Sequence, residues 1–493
     1  MGLYKNLFKQ TAIYGLATVL PRMLSFLLVR LHTDKSVLAE TADYGTLTIV
    51  LSWMVFFNVI LSYGMETAFF RFYNKEEDKK SVIATSTISI FWTSVSFLTL
   101  ALLFRNTLAD AIDVNPMYVT YAIWTLVFDA LVIIPFSKLR AFQRPIKYAV
   151  IKIGNVLLNV LLNVFFLLFL PKLAQSNPDS FWDEIYIANF QVGYIFIAQL
   201  AASFATLLFF IPDYLTLKWK FNKSLWKQML QYGWPILFAG LAFGVNEHFD
   251  KILLGDLLPE AIAKSEVGAY AACYKLGLFM VLFRTAYTLG IEPFFFSHAD
   301  KEDAPQTYAM ITKYFVISGS LILLFVVVFA DLLKQMLVPN SAYWEAMKVV
   351  PLIILANFFL GIYTSLSVWY KLIDKTKIGA YISVVGALVT LALNFLLIPK
   401  LSYMGSAIAT LAAYGTMMAI SYFLGNKYYP IPYDRKKIGG YLGVSILLSG
   451  LSFYIPYFRE SYIFGILAIV LFGLFVYYNE KETVLRIVNR KKQ

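Results

Sequence analysis

Apolar runs of about 20 residues recur along the whole chain and alternate with short polar segments. A helix of about this length crosses roughly 30 Å of hydrocarbon. Counting such runs between charged positions predicts about fourteen transmembrane helices. They are expected near residues 11–31, 44–66, 82–104, 117–136, 148–170, 190–211, 231–254, 268–292, 311–330, 346–369, 377–398, 405–424, 438–455 and 461–478.

The composition agrees with this pattern. Of the 493 residues, 59% are hydrophobic and 15% are charged, and the mean hydropathy is +0.66. A soluble domain does not have this balance. The predicted fold class is therefore an all-α integral membrane protein.

Targeting and metal signals are sparse. The N-terminal stretch MGLYKNLFKQ is basic and polar ahead of a full-length span, so a cleaved signal peptide is not expected. Cys273 is the single cysteine, and the histidines His32, His248 and His298 are scattered along the chain. We expect neither an intrachain disulfide nor a metal site.

Basic residues concentrate in every second loop, including residues 71–80, 138–147, 218–227 and 427–437. Short cytoplasmic loops retain Lys and Arg, so these loops are predicted to face the cytoplasm, together with both termini. This arrangement also accounts for the net charge of +12, because such loops meet anionic lipid head groups. A nucleic-acid partner is not predicted.

Two segments suggest an internal repeat. LNVFFLLFLPKL begins at Leu162 and LNFLLIPKL begins at Leu393, each closing a span with Asn, an apolar run and Pro-Lys-Leu. We predict two six-helix bundles, residues 1–212 and 213–424, joined by a basic linker at 212–234. Residues 425–493 would add two helices and a basic tail. Secondary transporters often have this organisation and bind substrate between the halves.

No segment between spans exceeds roughly 25 residues, which leaves no room for a nucleotide-binding domain. The P-loop pattern GxxxxGK[ST] does not occur in the sequence. These observations argue against an enzyme and predict no cofactor.

Ionisable residues inside spans cost on the order of 2.5–3.5 kcal/mol each on insertion scales, so they indicate a cavity or pathway. Arg22 lies mid-span directly after Pro21, Asp129 lies in span four, and Lys275 and Arg284 lie along span eight. Pro21 is a candidate hinge because an interior proline removes a helical hydrogen bond. A static kink beside a structural arginine is the alternative.

The stretch FGVNEHFDKILLG, residues 243–255, concentrates charge in span seven. Helical spacing places Glu247, Asp250 and Lys251 on one face. Glu247 and Lys251 could neutralise each other as an i,i+4 pair, which would leave Asp250 to attract a cation or a proton. Asp250, Glu247 and Asp129 are therefore candidates for ion coupling. The alternative for this stretch is a solvated helix end at the membrane interface.

An ordered series of segments resembles the polysaccharide flippases of the Wzx type, in the multidrug/oligosaccharidyl-lipid/polysaccharide exporter superfamily. The similarity extends over roughly residues 10–425. Its segments are LPRMLSFLLVRL, ADYGTLTIV, LSYGMETAFFRF, KLRAFQRPIKYAVIKIGNVLLNV, FDKILLGDLL and VGAYAACYKLG.

The resemblance implies a flippase that moves an undecaprenyl-diphosphate-linked oligosaccharide from the inner to the outer leaflet by alternating access. The membrane potential, an ion gradient or both would drive it. The expected partners are this lipid-linked substrate, membrane lipids and other polysaccharide assembly proteins, in the cell membrane. By analogy with related lipid flippases, Arg22, Lys275 and Arg284 would contact the diphosphate.

Three other classes remain open. A cation-coupled drug antiporter of the same superfamily would need a more acidic, aromatic cavity. A major facilitator would need a Gly-Asp-Arg-Gly-Arg-like loop after span two, where this chain has FRFYNKEEDKKS. A membrane-embedded glycosyltransferase or polymer ligase would need a large external loop with paired acids, and DSFWDEI at residues 179–185 is the nearest candidate.

Overall fold

The computed structural model describes residues 2–299, 301–373, 375–459 and 462–490. The described residues are 87% helical and contain no strand. Among them, twelve helical stretches are long and apolar enough to cross a membrane. The predicted class, an all-α integral membrane protein, is confirmed.

The helices coincide with the predicted spans. Two of the predicted spans, residues 231–254 and 438–455, fall in long helices that are not among the twelve. The count of fourteen spans stays a prediction.

The chain packs into two compact units, Met1–Ala272 with Ile398–Ser402, and Cys273–Leu397 with Tyr403–Gln493. The predicted boundaries at residues 212 and 424 concern an internal repeat and stay a prediction.

The described residues of the first unit form thirteen α-helices and, between α8 and α9, a π-helix at Phe165–Phe169. The α-helices are α1 (Gly2–His32), α2 (Thr41–Ser62), α3 (Met65–Lys75), α4 (Lys79–Leu103), α5 (Arg105–Ala111), α6 (Pro116–Leu131), α7 (Ile133–Ala141), α8 (Pro145–Val164), α9 (Leu170–Ser176), α10 (Phe181–Ile185), α11 (Gln191–Leu215), α12 (Lys223–Leu257) and α13 (Glu260–Tyr274), whose last two residues fall in the second unit.

The part of the second unit that the structure describes forms ten α-helices and 3₁₀ helices at Lys275–Gly277 and Ser341–Val349. The α-helices are α14 (Leu278–His298), α15 (Ala304–Val328), α16 (Ala330–Leu337), α17 (Val350–Leu366), α18 (Val368–Leu372), α19 (Lys377–Leu401), α20 (Tyr403–Tyr428), α21 (Arg435–Tyr454), α22 (Pro456–Arg459) and α23 (Tyr462–Arg490).

Within the first unit, α6 packs against α2, α4 and α11, α11 against α8, and α8 against α1. Ion pairs join segments that the charge pattern predicts on one side of the membrane. Lys138 pairs with Asp213 at 2.5 Å and Arg140 with Glu66 at 2.6 Å. The C-terminal ends of α7 and α11 and the N-terminal end of α3 therefore lie together in this unit.

The linker predicted at residues 212–234 is shorter than expected. Only Thr216–Asn222 is not helical, because α12 begins at Lys223. The Asn222 side chain accepts a hydrogen bond from the Leu225 amide and caps the helix. Leu225 and Met229 are buried four residues apart, so their packing stabilises the extra turns.

The helix breaks between α2 and α3, and α12 crosses this break at a short backbone distance. Tyr63 and Gly64 adopt left-handed conformations, with φ of 31° and 73°. A Cβ at Gly64 would lie 2.4 Å from the Gly233 carbonyl oxygen, and a Cβ at Gly233 would lie 2.8 Å from the Tyr63 carbonyl oxygen. Only glycines allow α12 to cross the break this closely.

In the second unit α17 is central, packing against α15 and α20. The C-terminal helices α21 and α23 pack on α15. The buried Glu480 carboxylate accepts hydrogen bonds from Lys313 at 2.6 Å, Lys437 at 3.1 Å and the Tyr441 hydroxyl at 2.9 Å. This cluster links α15, α21 and α23.

Candidate functional site

A polar cavity of about 410 Å³ lies within the first unit, among α6, α8 and α11. Segments of α2, α3 and α7 complete its walls. Its lining combines two acidic, two basic and several amide or hydroxyl side chains with a few apolar ones. The lining residues are Asn58, Glu66, Asp129, Val132, Ile133, Phe136, Arg140, Tyr148, Lys152, Asn155, Asn159, Gln199, Ala202, Ser203 and Thr206.

Helix α8 contributes a polar stripe to this cavity. Lys152, Asn155, Asn159 and Asn163 follow one another at spacings of three and four residues, which places them on one helical face. Asn155 Nδ2 donates to Thr206 Oγ1 at 2.9 Å, and Asn163 Nδ2 donates to Asn159 Oδ1 at 2.7 Å. These bonds hold the amides in fixed orientations.

The stripe continues to α1 beyond the cavity. His32 Nε2 lies 2.8 Å from Asn163 Oδ1, and both side chains are buried. Buried polar groups are normally hydrogen-bonded, and here the bonds run between two neighbouring helices. The α1–α8 contact is therefore partly polar.

The four charged side chains of the cavity form two groups, Glu66 with Arg140 and Asp129 with Lys152. Glu66 and Arg140 form an ion pair at 2.6 Å with side chains 46% and 42% exposed. Asp129 is half-buried, with the Ser203 hydroxyl as its hydrogen-bonding neighbour and the Lys152 ammonium within electrostatic reach. Lys152 Nζ also lies 4.5 Å from the centre of the Phe136 ring. The cavity as a whole is close to neutral.

This arrangement can hold water, a proton or a small cation inside a helical membrane bundle. Ionisable groups that line a cavity within spans mark ion or substrate pathways. The Glu66 carboxylate pairs with Arg140, whereas Asp129 has Ser203 and Lys152 as its polar neighbours. Ion coupling at Asp129 stays a prediction. Among the described residues, no cluster of three or more His, Cys, Asp or Glu side chains could hold a metal ion.

The charged stretch in α12 is arranged differently from the expected i,i+4 pairing. Lys251 Nζ lies 2.9 and 3.1 Å from the two carboxylate oxygens of Asp250, whereas its contact with Glu247 is a 3.4 Å bond to the backbone oxygen. The Tyr270 hydroxyl donates to Asp250 Oδ2 at 2.7 Å. The expectation that Asp250 stays unpaired is therefore wrong.

The reason is tertiary. Helix α13 brings the buried Tyr270 against this face, and the Lys251 ammonium lies 5.4 Å from its ring centre. Asp250 and Lys251 are 1% and 7% exposed, so the pair is buried and not solvated at the membrane interface. A buried carboxylate needs a counter-charge and further hydrogen bonds, and these two neighbours supply both.

The other predicted site residues lie in both units. Pro21 and Arg22 are half-buried in α1, where the Ser25 hydroxyl donates to the Pro21 carbonyl at 2.9 Å. In the second unit, half-buried Lys275 begins the 3₁₀ turn Lys275–Gly277, and half-buried Arg284 lies in α14. Their joint role as a diphosphate site, and the hinge at Pro21, stay predictions.

Sequence reasoning identified Asp129 but missed most of its surroundings. Lys152 falls inside the predicted span 148–170 and was detectable as an intramembrane charge. The repeated asparagines at Asn155 and Asn159 were also visible as a helical polar face. No sequence pattern pointed to Arg140 as a cavity residue, because it lies among the basic residues of a predicted cytoplasmic loop.

The family model described as "Polysaccharide biosynthesis protein" matches residues 7–296. No curated protein sequence matches this chain.

Solved structures of flippases and transporters share the fold. The lipid II flippase MurJ in an inward closed conformation is 15% identical with a TM-score of 0.71, covering 95% of this chain and 99% of that chain. An inward-facing multidrug resistance MATE family transporter of the MOP superfamily is 13% identical with a TM-score of 0.62, covering 86% and 96%. A Vibrio cholerae MATE transporter is 16% identical with a TM-score of 0.55, covering 86% and 97%.

At these identities the structural matches show the fold alone. The family match covers more than half of the chain and agrees with the sequence resemblance to Wzx-type flippases. This chain is therefore a multi-pass helical membrane protein that belongs to the polysaccharide biosynthesis protein family and shares its fold with the solved MurJ and MATE structures.

Proposed function

We propose that this protein moves an undecaprenyl-diphosphate-linked oligosaccharide from the cytoplasmic to the outer leaflet of the cell membrane by alternating access. The observation that carries the proposal is a polar cavity among apolar membrane helices, in a chain whose family belongs to polysaccharide biosynthesis. Such a cavity gives polar groups a lower-energy environment than hydrocarbon.

The diphosphate would contact Arg22, Lys275 and Arg284, each half-buried in a helical segment. Arginine suits this role because its planar guanidinium binds phosphate oxygens through two parallel hydrogen bonds. All three residues lie in helical segments within predicted spans, where ionisable groups mark substrate or ion pathways.

The membrane potential supplies a driving force for this direction. Moving one elementary charge through 100 mV changes the free energy by about 2.3 kcal/mol. When a head group with roughly two negative charges leaves a negative cytoplasm, its free energy therefore falls by about 4–5 kcal/mol per 100 mV. ATP is not required.

A coupling ion would enter at Asp129 in preference to Asp250. Asp129 faces the cavity, whereas Asp250 is buried against Lys251 and Tyr270. A carboxylate already neutralised by an ammonium on its own helix has little affinity left for an external cation. Glu247, half-buried on the same helix, is the second candidate.

In the proposed orientation, the basic loops and both termini face the cytoplasm. Lys138, Arg140 and Arg144 then lie at the anionic inner surface. Membrane lipids and other polysaccharide assembly proteins are the expected partners, the latter supplying and using the lipid-linked oligosaccharide.

The test measures the level and leaflet location of lipid-linked oligosaccharide in cells that lack the protein. The cells are complemented with wild type, Arg22→Ala or the control Arg105→Ala. Arg105 is exposed at the start of α5 and has no side-chain partner among the described residues. We expect inner-leaflet accumulation that wild type and Arg105→Ala relieve and a well-expressed Arg22→Ala does not.

A second comparison addresses coupling. Asp129→Asn should lower translocation and remove its response to a proton or sodium ionophore, whereas the exposed control Asp183→Asn should behave as wild type. Equal ionophore responses in Asp129→Asn and wild type would remove Asp129 as the coupling site. Unchanged oligosaccharide with altered drug accumulation in the deletion strain would place the protein among the antiporters.

A further inference from the structure

A second pocket, of about 430 Å³, lies in the first unit among the π-helix Phe165–Phe169, α9 and the start of α11. Its walls include Gln191 and Tyr194 at the start of α11, whereas Gln199, Ser203 and Thr206 of α11 line the polar cavity. Along α11 the nearest residues of the two linings, Tyr194 and Gln199, are about 7.5 Å apart, and the two linings share no residue. The two pockets are therefore distinct.

Three aromatic rings form one side of this pocket. The Tyr194 ring stacks on Phe166 at a centroid distance of 5.5 Å with 9° between the planes, and on Tyr186 at 6.5 Å with 11°. The Tyr194 hydroxyl accepts from the Ile187 amide at 2.6 Å and donates to the Ile185 carbonyl at 3.3 Å. The loop that carries Tyr186 is thus held against α11, and the rings are preorganised.

The polar side of the pocket carries groups with unused hydrogen-bonding capacity. Lys172 and Gln175 are exposed, and Gln191 and Tyr186 are half-buried. None of these four side chains makes a hydrogen bond or ion pair with the described residues. Each amide both donates and accepts hydrogen bonds, and the tyrosine hydroxyl does the same.

This combination selects a ligand with an apolar face and a rim of hydroxyls. The C–H groups of a sugar ring carry partial positive charge and pack on the negative face of an aromatic ring. The sugar hydroxyls match glutamine amides, which donate and accept at once. A diphosphate would instead need several cations, and the lining contains a single lysine, Lys172. The volume lies in the range of small-molecule sites.

We propose that this pocket binds a sugar residue of the translocated oligosaccharide. The proposal rests on the proposed function, which provides the glycan and the orientation. In that orientation the pocket opens at the outer surface, opposite the basic loops. Tyr186 stacks on the sugar ring, Gln175 and Gln191 bind its hydroxyls, and Lys172 binds a hydroxyl or a carboxylate of an acidic sugar.

The test uses the full-length protein in lipid nanodiscs and saturation-transfer NMR with free hexoses, N-acetylhexosamines and hexuronic acids. We expect at least one of these sugars to bind the wild type. Loss of one stacking contact should weaken it about 3- to 10-fold in Tyr186→Ala. Tyr186→Phe keeps the ring and should retain most of the binding.

Phe181→Ala is the matched control, because Phe181 is a 65% exposed aromatic residue of the neighbouring α10 and does not line the pocket. It should bind sugar as the wild type does. The proposal is overturned if no sugar of the panel binds in a Tyr186-dependent way, or if glycerol phosphate competes for the Tyr186-dependent signal as well as the sugars do.

The leaflet assay separates this inference from the proposed function. If oligosaccharide translocation in the cell is intact but sugar binding does not depend on Tyr186, the sugar-site inference fails and the proposed flippase function stands. If sugar binding depends on Tyr186 but deletion of the protein leaves the oligosaccharide location unchanged, the sugar site stands and the proposed flippase function fails.

Discussion

Replacing Asp250 with asparagine should leave the Lys251 ammonium without its counter-ion inside the first unit. The side chains of Asp250 and Lys251 are 2% and 9% exposed, and their charged atoms are 2.9 Å apart. Breaking a buried pair by removing one partner costs about 3–5 kcal/mol, because an uncompensated charge stays buried. We expect Asp250→Asn to lower the free energy of unfolding by about this amount.

The double variant Asp250→Asn/Lys251→Met should recover most of the loss. Replacing both members of a buried pair with neutral groups of similar size is often close to neutral. Tyr270→Phe, which removes one hydrogen bond to a charged group at 2.7 Å, should cost about 1.5–3 kcal/mol. The three variants distinguish loss of the pair from loss of packing.

The assay is denaturant unfolding of the purified protein in detergent micelles, with Glu66→Gln as the control. The Glu66–Arg140 pair has the same short geometry but is nearly half exposed, so its loss should cost about 0–1 kcal/mol. An Asp250→Asn variant no less stable than Glu66→Gln would refute the reasoning. A stable double variant that fails in translocation would show that Asp250 acts in coupling after all.

Two further predictions concern packing and pH. Gly233→Ala places a Cβ 2.8 Å from the Tyr63 carbonyl oxygen and should lower the free energy of unfolding by about 1–3 kcal/mol. Gly154→Ala has open space around the added Cβ and should raise the free energy of unfolding by about 0.5–1 kcal/mol. Equal effects of the two changes would contradict the close crossing. Hydrogen bonding from Arg459 lowers the pKa of Asp331 from 3.8 to about 2, so this pair stabilises the fold above pH 4 and its contribution, about 1–2 kcal/mol, is lost as the pH falls through 3.8 towards 2. The difference in melting temperature between wild type and Asp331→Asn should therefore close over that range, and a constant difference would argue against the shift.

The membrane-spanning helices were readable from the chain because a bilayer imposes one simple requirement on it. Each crossing needs about 20 apolar residues with every backbone group bonded inside the segment. Apolar run length therefore located the helices. Helix ends and breaks depended on local detail, such as the Asn222 cap that starts α12 early and the Tyr63–Gly64 break beneath Gly233.

The candidate sites divide in a similar way. The sequence alone placed Asp129 within a span and put Glu247, Asp250 and Lys251 on one helical face, because spacing along one helix determines its faces. It could not determine that Tyr270 of α13 meets Asp250, or that Lys152 of α8 meets the cavity of Asp129, since those contacts depend on which helices pack together. Fold class and chemical inventory thus came from the sequence. Only the tertiary structure decided which charges neutralise one another and which face a cavity, because pairing inside a bundle is set by contacts between helices distant in the chain.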